Sequence, residues 1–249
     1  MATALLSKQA SIPQRFPSAA KAAALRAVPA PAAALDRLGS SLSYPRGKTV
    51  IEEGNPADFV YKVVSGALRK VRLLPDGRRH ITSFLMPGDF FGFAEGPDYT
   101  HTVEAVADVT LVRYARRGFD EVLENDPRAG HHFLGLICRT LSATQDQLLL
   151  LGRKSALERL ASFLIAIADR KEAERKRAEH KAAGRPTLGA ELDLPMNRAD
   201  VADYLGLTIE TVSRLITRLR SLRLIDTPDA HRIVILDRNA LHGISAGEA

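Results

Sequence analysis

The 249 residues predict an α+β chain made of an N-terminal antiparallel β-roll, a long dimerisation helix and a C-terminal winged helix-turn-helix. Three observations predict it. Short β-like runs broken by glycine turns fill Tyr44 to Leu111, and a two-position apolar heptad follows within 128–152. Then R-A-D-V-A-D-Y-L-G-L-T-I-E-T-V-S-R-L-I-T-R (Arg198 to Arg218) reads as two short helices about a glycine, with two strand-like runs behind it. The boundaries read from these patterns are a disordered tail over 1–38, the roll over 39–127, the long helix over 128–152 and the winged unit over 153–249.

The tail is alanine-rich, carries prolines at 13, 17, 29 and 31, and offers little to bury, which predicts disorder. Residues 1–35 hold Lys8, Arg15, Lys21 and Arg26 and no acid, a composition shared by organelle transit peptides; a flexible extension is the reading preferred. In the roll the strand-like runs are Thr49–Ile51, Phe59–Val64, Ala67–Leu74, His80–Leu85 and Val103–Val112. Turn signals fall at Gly54-Asn55-Pro56, Ser65-Gly66, Pro75-Asp76-Gly77 and Pro87-Gly88-Asp89. Many short strands at such spacing close into a barrel or roll.

Helix begins near Gly118 and, after Pro127, continues far. Leu134, Ile137, Leu141, Thr144, Leu148 and Leu151 recur at steps of three and four, a narrow seam of the kind that packs against a second copy of the same helix. A parallel homodimer follows. A further helix spans about Ser155 to Asp169, and the charged stretch Arg170 to Gly184 reads as its solvated extension or a loop.

In the helix pair, Val201, Ala202 and Leu205 form one apolar face and Val212, Leu215 and Ile216 another, with Gly206 between them where positive φ is needed. Thr208 is placed to cap the second helix, whose first turn carries Glu210. The outward set is then Thr208, Ile209, Glu210, Ser213, Arg214, Thr217 and Arg218. Most of these side chains are polar and hydrogen-bonding, and they cluster towards an N-terminus, which suits a helix laid into a DNA major groove. Arg214 can bond guanine O6 and N7 together, Glu210 can accept from cytosine N4, and Ser213 can reach a base edge or a thymine methyl. Leu222–Ile225 and Arg232–Leu236, around Thr227-Pro228-Asp229-Ala230, supply the wing.

Composition narrows the function classes. Hydrophobic content is 45%, and the longest greasy run, Leu148 to Leu151, is far too short for a bilayer, so no membrane partner is expected and a cytoplasmic location is. A single cysteine, Cys138, excludes an intramolecular disulfide framework and a multi-cysteine metal cage. The net charge of +6 is weak support for nucleic-acid binding, because residues 196–249 carry seven bases and seven acids. The excess there is local: Arg214, Arg218, Arg220 and Arg223 against Glu210. No nucleophile–base pair, phosphate-cradling loop or metal spacing is present, so no enzyme, cofactor or metal is expected.

This order of parts resembles the Crp/Fnr family of bacterial transcription regulators over roughly residues 40–240. In the roll the likeness rests on E-G-N-P-A-D-F-V-Y-K-V-V-S-G-A-L-R (Glu53 to Arg69) and M-P-G-D-F-F-G (Met86 to Gly92). In the winged unit it rests on D-Y-L-G-L-T-I-E-T-V-S-R (Asp203 to Arg214), close to diagnostic for the Fnr and FixK branch. The resemblance implies a cyclic-nucleotide-binding-like roll and a homodimer that binds double-stranded DNA at a palindrome with TTGAT-like half-sites. It also implies activation of transcription through RNA polymerase. Members of the cyclic-AMP receptor branch carry a basic residue where Ile209 stands, whereas Fnr-like members carry an apolar one followed by the equivalents of Glu210, Ser213 and Arg214.

Departures from the family pattern matter too. Cyclic-nucleotide sensors have Gly-Glu and a later Arg in a phosphate cassette; here Phe93 follows Gly92, and Tyr99-Thr100-His101-Thr102-Val103 holds no arginine. The cysteine cluster of the iron–sulfur oxygen sensor has no counterpart ahead of the roll. The resemblance therefore implies the FixK-like class, which often needs no bound effector. The alternative is a sensor whose roll holds an unidentified small molecule or haem, motivated by Phe90, Phe91, Phe93 and Tyr99; the competing expectation is that these four side chains fill the roll's core. Cys138 reads as a quiet small hydrophobe beside the seam. His131 and His132 point to different sides of a helix, so with His101 they make a poor metal site.

Overall fold

The computed structural model describes residue 35 and residues 37–179, 190–229 and 231–248. Eight strands build the roll: β1 (Ser40–Tyr44), β2 (Thr49–Ile51), β3 (Phe59–Ser65), β4 (Leu68–Leu73), β5 (Arg79–Leu85), β6 (Phe90–Phe91), β7 (Thr102–Ala105) and β8 (Val109–Ala115). They pair antiparallel in two four-stranded sheets, ordered β1-β8-β3-β6 and β2-β7-β4-β5. Strand alternation sends Tyr61, Val63, Leu68, Leu85, Phe91, Val103, Val109 and Leu111 into the space between the sheets.

The run read as one strand from Val103 to Val112 is two strands in different sheets. The chain crosses at Val106–Asp108, where Val106 N–H donates to Ala67 O (3.0 Å) and Arg46 N–H to Asp108 Oδ1 (2.9 Å). Gly66 makes the crossing possible: its φ is +82°, and a Cβ there would lie 2.2 Å from Asp108 O. Apolar alternation passes unbroken through the crossing, so the sequence shows no seam. β1 and β6 were not anticipated, because Ser-Ser-Leu-Ser-Tyr is a polar edge strand and β6 is two residues long.

Each sheet also buries its outer face. On the first sheet, Val60 and Tyr114 pack with Leu35 and with Phe119 of α1 (Arg116–Asn125) and Phe133 of α2 (Pro127–Arg153). Phe90 meets Phe133 edge-on at 4.9 Å, and Phe119 meets Phe133 edge-on at 4.8 Å. Leu35 is buried here although it falls in the stretch read as tail; the remainder of that stretch, apart from Arg37 and Leu38, lies outside the described residues. On the second sheet, Val71, Ile81, Phe84 and Met86 join the core of the C-terminal part. Lys70 takes the inner face, opposite Ser83 and Val103. Burial drives its amine down from the ordinary lysine value of 10.5 to about 8, and no carboxylate among the described residues pairs with it.

Asp126 caps α2 by accepting from Arg128 N–H, with Pro127 at the first helical position. α3 (Ala156–Glu179) runs well past Asp169 into the charged stretch, where Arg170–Glu174 (3.6 Å) and Glu172–Lys176 (2.7 Å) pair along the helix. The winged unit follows as β9 (Ala190–Asp193), α4 (Arg198–Leu205), α5 (Ile209–Ser221), β10 (Ile225–Asp226), β11 (Arg232–Ile235) and α6 (Arg238–Ala246). The wing is a three-stranded antiparallel sheet, β10-β11-β9, rather than a lone hairpin. β9 and α6 escaped the sequence reading. The signal for α6 is Asp237, which caps the helix by accepting from Ala240 N–H, ahead of Leu241 and Ile244 on one buried face.

Candidate nucleic-acid interface

Asn197 starts α4 with a reciprocal box: its Oδ1 accepts from Asp200 N–H (2.8 Å), and Asp200 Oδ2 accepts from Asn197 N–H (3.2 Å). Val201, Ala202 and Leu205 are all buried, as their spacing predicted. Gly206 ends the helix in the left-handed region at φ +62°, and Leu207 N–H closes the turn on Ala202 O (3.0 Å). Thr208 then caps α5, its hydroxyl accepting from Thr211 N–H at 3.2 Å. Val212, Ile216 and Leu219 are the buried face of α5, with Leu215 only partly covered.

That burial turns the remaining side chains outward. Thr208, Ile209, Glu210, Arg214, Thr217 and Arg218 are exposed, and Ser213 is half-buried, its hydroxyl receiving a weak 3.4 Å contact from Arg198. Among the described residues the Arg214 guanidinium makes one weak hydrogen bond, 3.5 Å to the Thr211 hydroxyl, and no close ion pair, so it can re-aim. Hydrogen bonds from the Glu210 backbone N–H and the Thr208 hydroxyl, with Arg214 nearby, hold the Glu210 carboxyl below the usual carboxylate range. Glu210 is thus an ionised acceptor. The helix ends through Arg223, the one non-glycine described residue at positive φ (+56°), whose N–H donates to Arg220 O at 2.9 Å. Holding an arginine where glycine is cheaper costs about 1 kcal/mol. Its side chain is exposed beside Arg220.

A second exposed face lies on α2. Leu134, Ile137, Leu141, Thr144 and Leu148 are all exposed, Leu148 by 66%, while Phe133 and Leu150 face the chain's own cores. Leu151 departs from this series: it is half-buried against the C-terminal core, because α2 ends there on the winged unit. Cys138 also differs from the quiet buried residue expected, being exposed one position beyond Ile137. His131 is exposed, whereas His132 stacks edge-on against Phe133 (5.8 Å); burial, then Arg139 and Lys62, lower its pKa. Among the described residues no group of three His, Cys, Asp or Glu is placed to hold a metal ion. Nor is any described helix long and apolar enough to cross a membrane.

The four aromatics that suggested a ligand are divided between packing sites. Phe91 stacks on Tyr61 at 5.1 Å, and the Tyr99 hydroxyl donates to Phe59 O (2.7 Å) inside the roll. Phe90 and Phe93 turn the other way, onto Phe119 and Phe133.

The site missed in the sequence is the joint behind α5. Arg159 of α3 donates to Lys154 O (2.9 Å), Leu151 O (2.8 Å) and Leu205 O (3.1 Å). One guanidinium thereby satisfies the free carbonyls at the ends of α2 and α4 and sits at the negative pole of both helices. Gln147 adds a bond to Tyr204 O at 2.9 Å.

A β-roll, a long helix with an uncovered apolar stripe and a capped, outward-facing second helix define a winged helix-turn-helix DNA-binding regulator. Residues 41–126 match the cyclic nucleotide-binding domain family, and residues 158–244 match the Crp-like helix-turn-helix domain family. The nitrogen fixation regulation protein FixK of Rhizobium meliloti (strain 1021) is 37% identical over 202 residues, 81% of this chain and 85% of that protein. The transcriptional activatory protein AadR of Rhodopseudomonas palustris is 39% identical over 200 residues, 80% of this chain and 79% of that protein. The structure of FixK2 from Bradyrhizobium japonicum superposes with a TM-score of 0.73 at 34% identity, covering 83% of this chain and 96% of that one. The chain belongs to the Crp/Fnr family of transcription regulators, which are DNA-binding proteins and not enzymes.

Proposed function

We propose that this protein is a homodimeric activator that reads an inverted repeat of TTGAT-like half-sites. The outward face of α5 carries the reading: Ile209, Glu210, Arg214, Thr217 and Arg218 are exposed around a capped N-terminus, with Arg214 free to aim at a guanine. Arg220 and the strained Arg223 lie where the helix leaves the groove and supply phosphate contacts that fix register. The two copies pair through Leu134, Ile137, Leu141, Thr144 and Leu148, which sets the two reading helices about 34 Å apart, one turn of DNA. Relatives named as activators support the direction of control, and activation makes RNA polymerase a partner in the cytoplasm.

Genome-wide site selection with the purified protein tests this reading. The expected product is one palindromic motif with a guanine at a fixed position in each half. Recovery of no motif, or of an unrepeated one, overturns it.

A further inference from the structure

We propose that Arg69 and Arg79 of the roll are positioning residues for DNA binding, holding α4 so that α5 meets the groove at one angle. The proposal rests on the DNA-reading assignment above and goes beyond it.

The outer face of the second sheet carries both arginines. Arg69 Nε donates to Glu104 (2.7 Å) and its Nη1 to Asp200 Oδ1 (2.6 Å). Arg79 grips Asp203 with two nitrogens, at 3.0 and 2.7 Å, and reaches Asp200 at 3.3 Å. Beside them His80 Nδ1 lies 3.0 Å from the Asp203 carbonyl, to which it donates. Asp200 is 1% exposed, the one buried charged residue among those described. A capping box needs only one of its oxygens; the other is spent entirely on the roll.

Apolar packing between these parts is present already: the Phe84 ring lies 5.2 Å from Tyr204 and 6.2 Å from Phe163. Such contacts are non-directional and let surfaces slide. A forked guanidinium on a carboxylate fixes direction as well as distance. α4 is therefore held by two different bodies. Its last residues, Tyr204 and Leu205, are tied to α2 through Gln147 and Arg159, while Asp200 in its first turn and Asp203 in its second are tied to the roll through Arg69 and Arg79. With both ties in place, the angle between the dimer axis and α5 is set; with the roll's tie released, α4 pivots about Leu205.

Spacing selectivity is the readout. Removing only the arginines strands buried carboxylates and endangers the fold, so the test uses R69M/R79M/E104Q/D200N/D203N, which neutralises the arginines and every carboxylate they pair with. Full-length dimers are titrated on palindromes with the natural centre spacing and with one base pair added or removed, and melting is followed in parallel. The expected result is a wild-type penalty of tenfold or more for altered spacing that shrinks to threefold or less in the variant. An unchanged penalty, or an equal loss at every spacing, overturns the proposal and leaves the arginines a structural role. A wild-type protein indifferent to sequence and spacing alike overturns the DNA-reading assignment, and this proposal with it.

Discussion

α2 and α5 each turn a full face to solvent, and the two faces could hardly differ more. On α2 the exposed residues are Leu134, Ile137, Leu141 and Leu148; on α5 they are Glu210, Arg214, Thr217 and Arg218 around a single Ile209. Both helices also bury an ordinary apolar face in their own chain, through Phe133 and Leu150 on α2 and Val212, Ile216 and Leu219 on α5. The chemistry of the uncovered side therefore names the missing partner. A continuous apolar stripe leaves water only for another apolar stripe, whereas a cluster of forked cations and short hydroxyls gains most from phosphates and base edges.

Substitutions that exchange these characters give the largest effect. L141E/L148E places four charges in the proposed dimer seam and should weaken association by about a thousandfold or more, about 4 kcal/mol, yielding monomers in sedimentation. Persistent dimers would refute the stripe as the interface. In that monomeric background, Leu150→Ala should cost about 3 kcal/mol in urea unfolding, since Leu150 faces the chain's own core, while Leu134→Ala on the exposed stripe should cost under about 0.5. On α5, Arg214→Ala should lose about 1–3 kcal/mol on the specific site and relax selectivity at one guanine, measured by competition with a substituted site. Equal affinities for both sites before and after would remove Arg214 from base reading. Smallest of all, Arg220→Ala should lower the slope of log affinity against log salt by about 1 with little change in base preference.

The two faces were unequally legible in the sequence. On α5, the cap at Thr208, the turn at Gly206 and the outward set all follow from local spacing, because each belongs to contacts within a few residues. On α2 the exposed apolar series follows the heptad down to Leu148 and breaks at Leu151, where the helix meets the winged unit and spacing alone no longer says what covers a leucine. The joints could not be read at all. Arg159 bonds carbonyls of Leu151 and Leu205, and Arg69 finds Asp200 131 positions away. A guanidinium in sequence carries no sign of which distant helix end it will terminate. Likewise β7 and β8 share one apolar alternation, and only the pairing reveals that the chain changes sheet between them.

Lys70, set on the inner face of the roll, gives the molecule a calorimetric signature. Its folded value is lowered to about 8 against 10.5 in the open chain, so the unfolded state binds the extra proton between those limits. The burial penalty is fully present below about pH 8 and is relieved as pH rises towards 10.5. Unfolding at pH 9 should therefore take up a proton at this site, and its apparent enthalpy should change with the ionisation heat of the buffer. Lys70→Met should remove that buffer dependence while raising the melting temperature at pH 7, which makes the roll's interior measurable by heat alone.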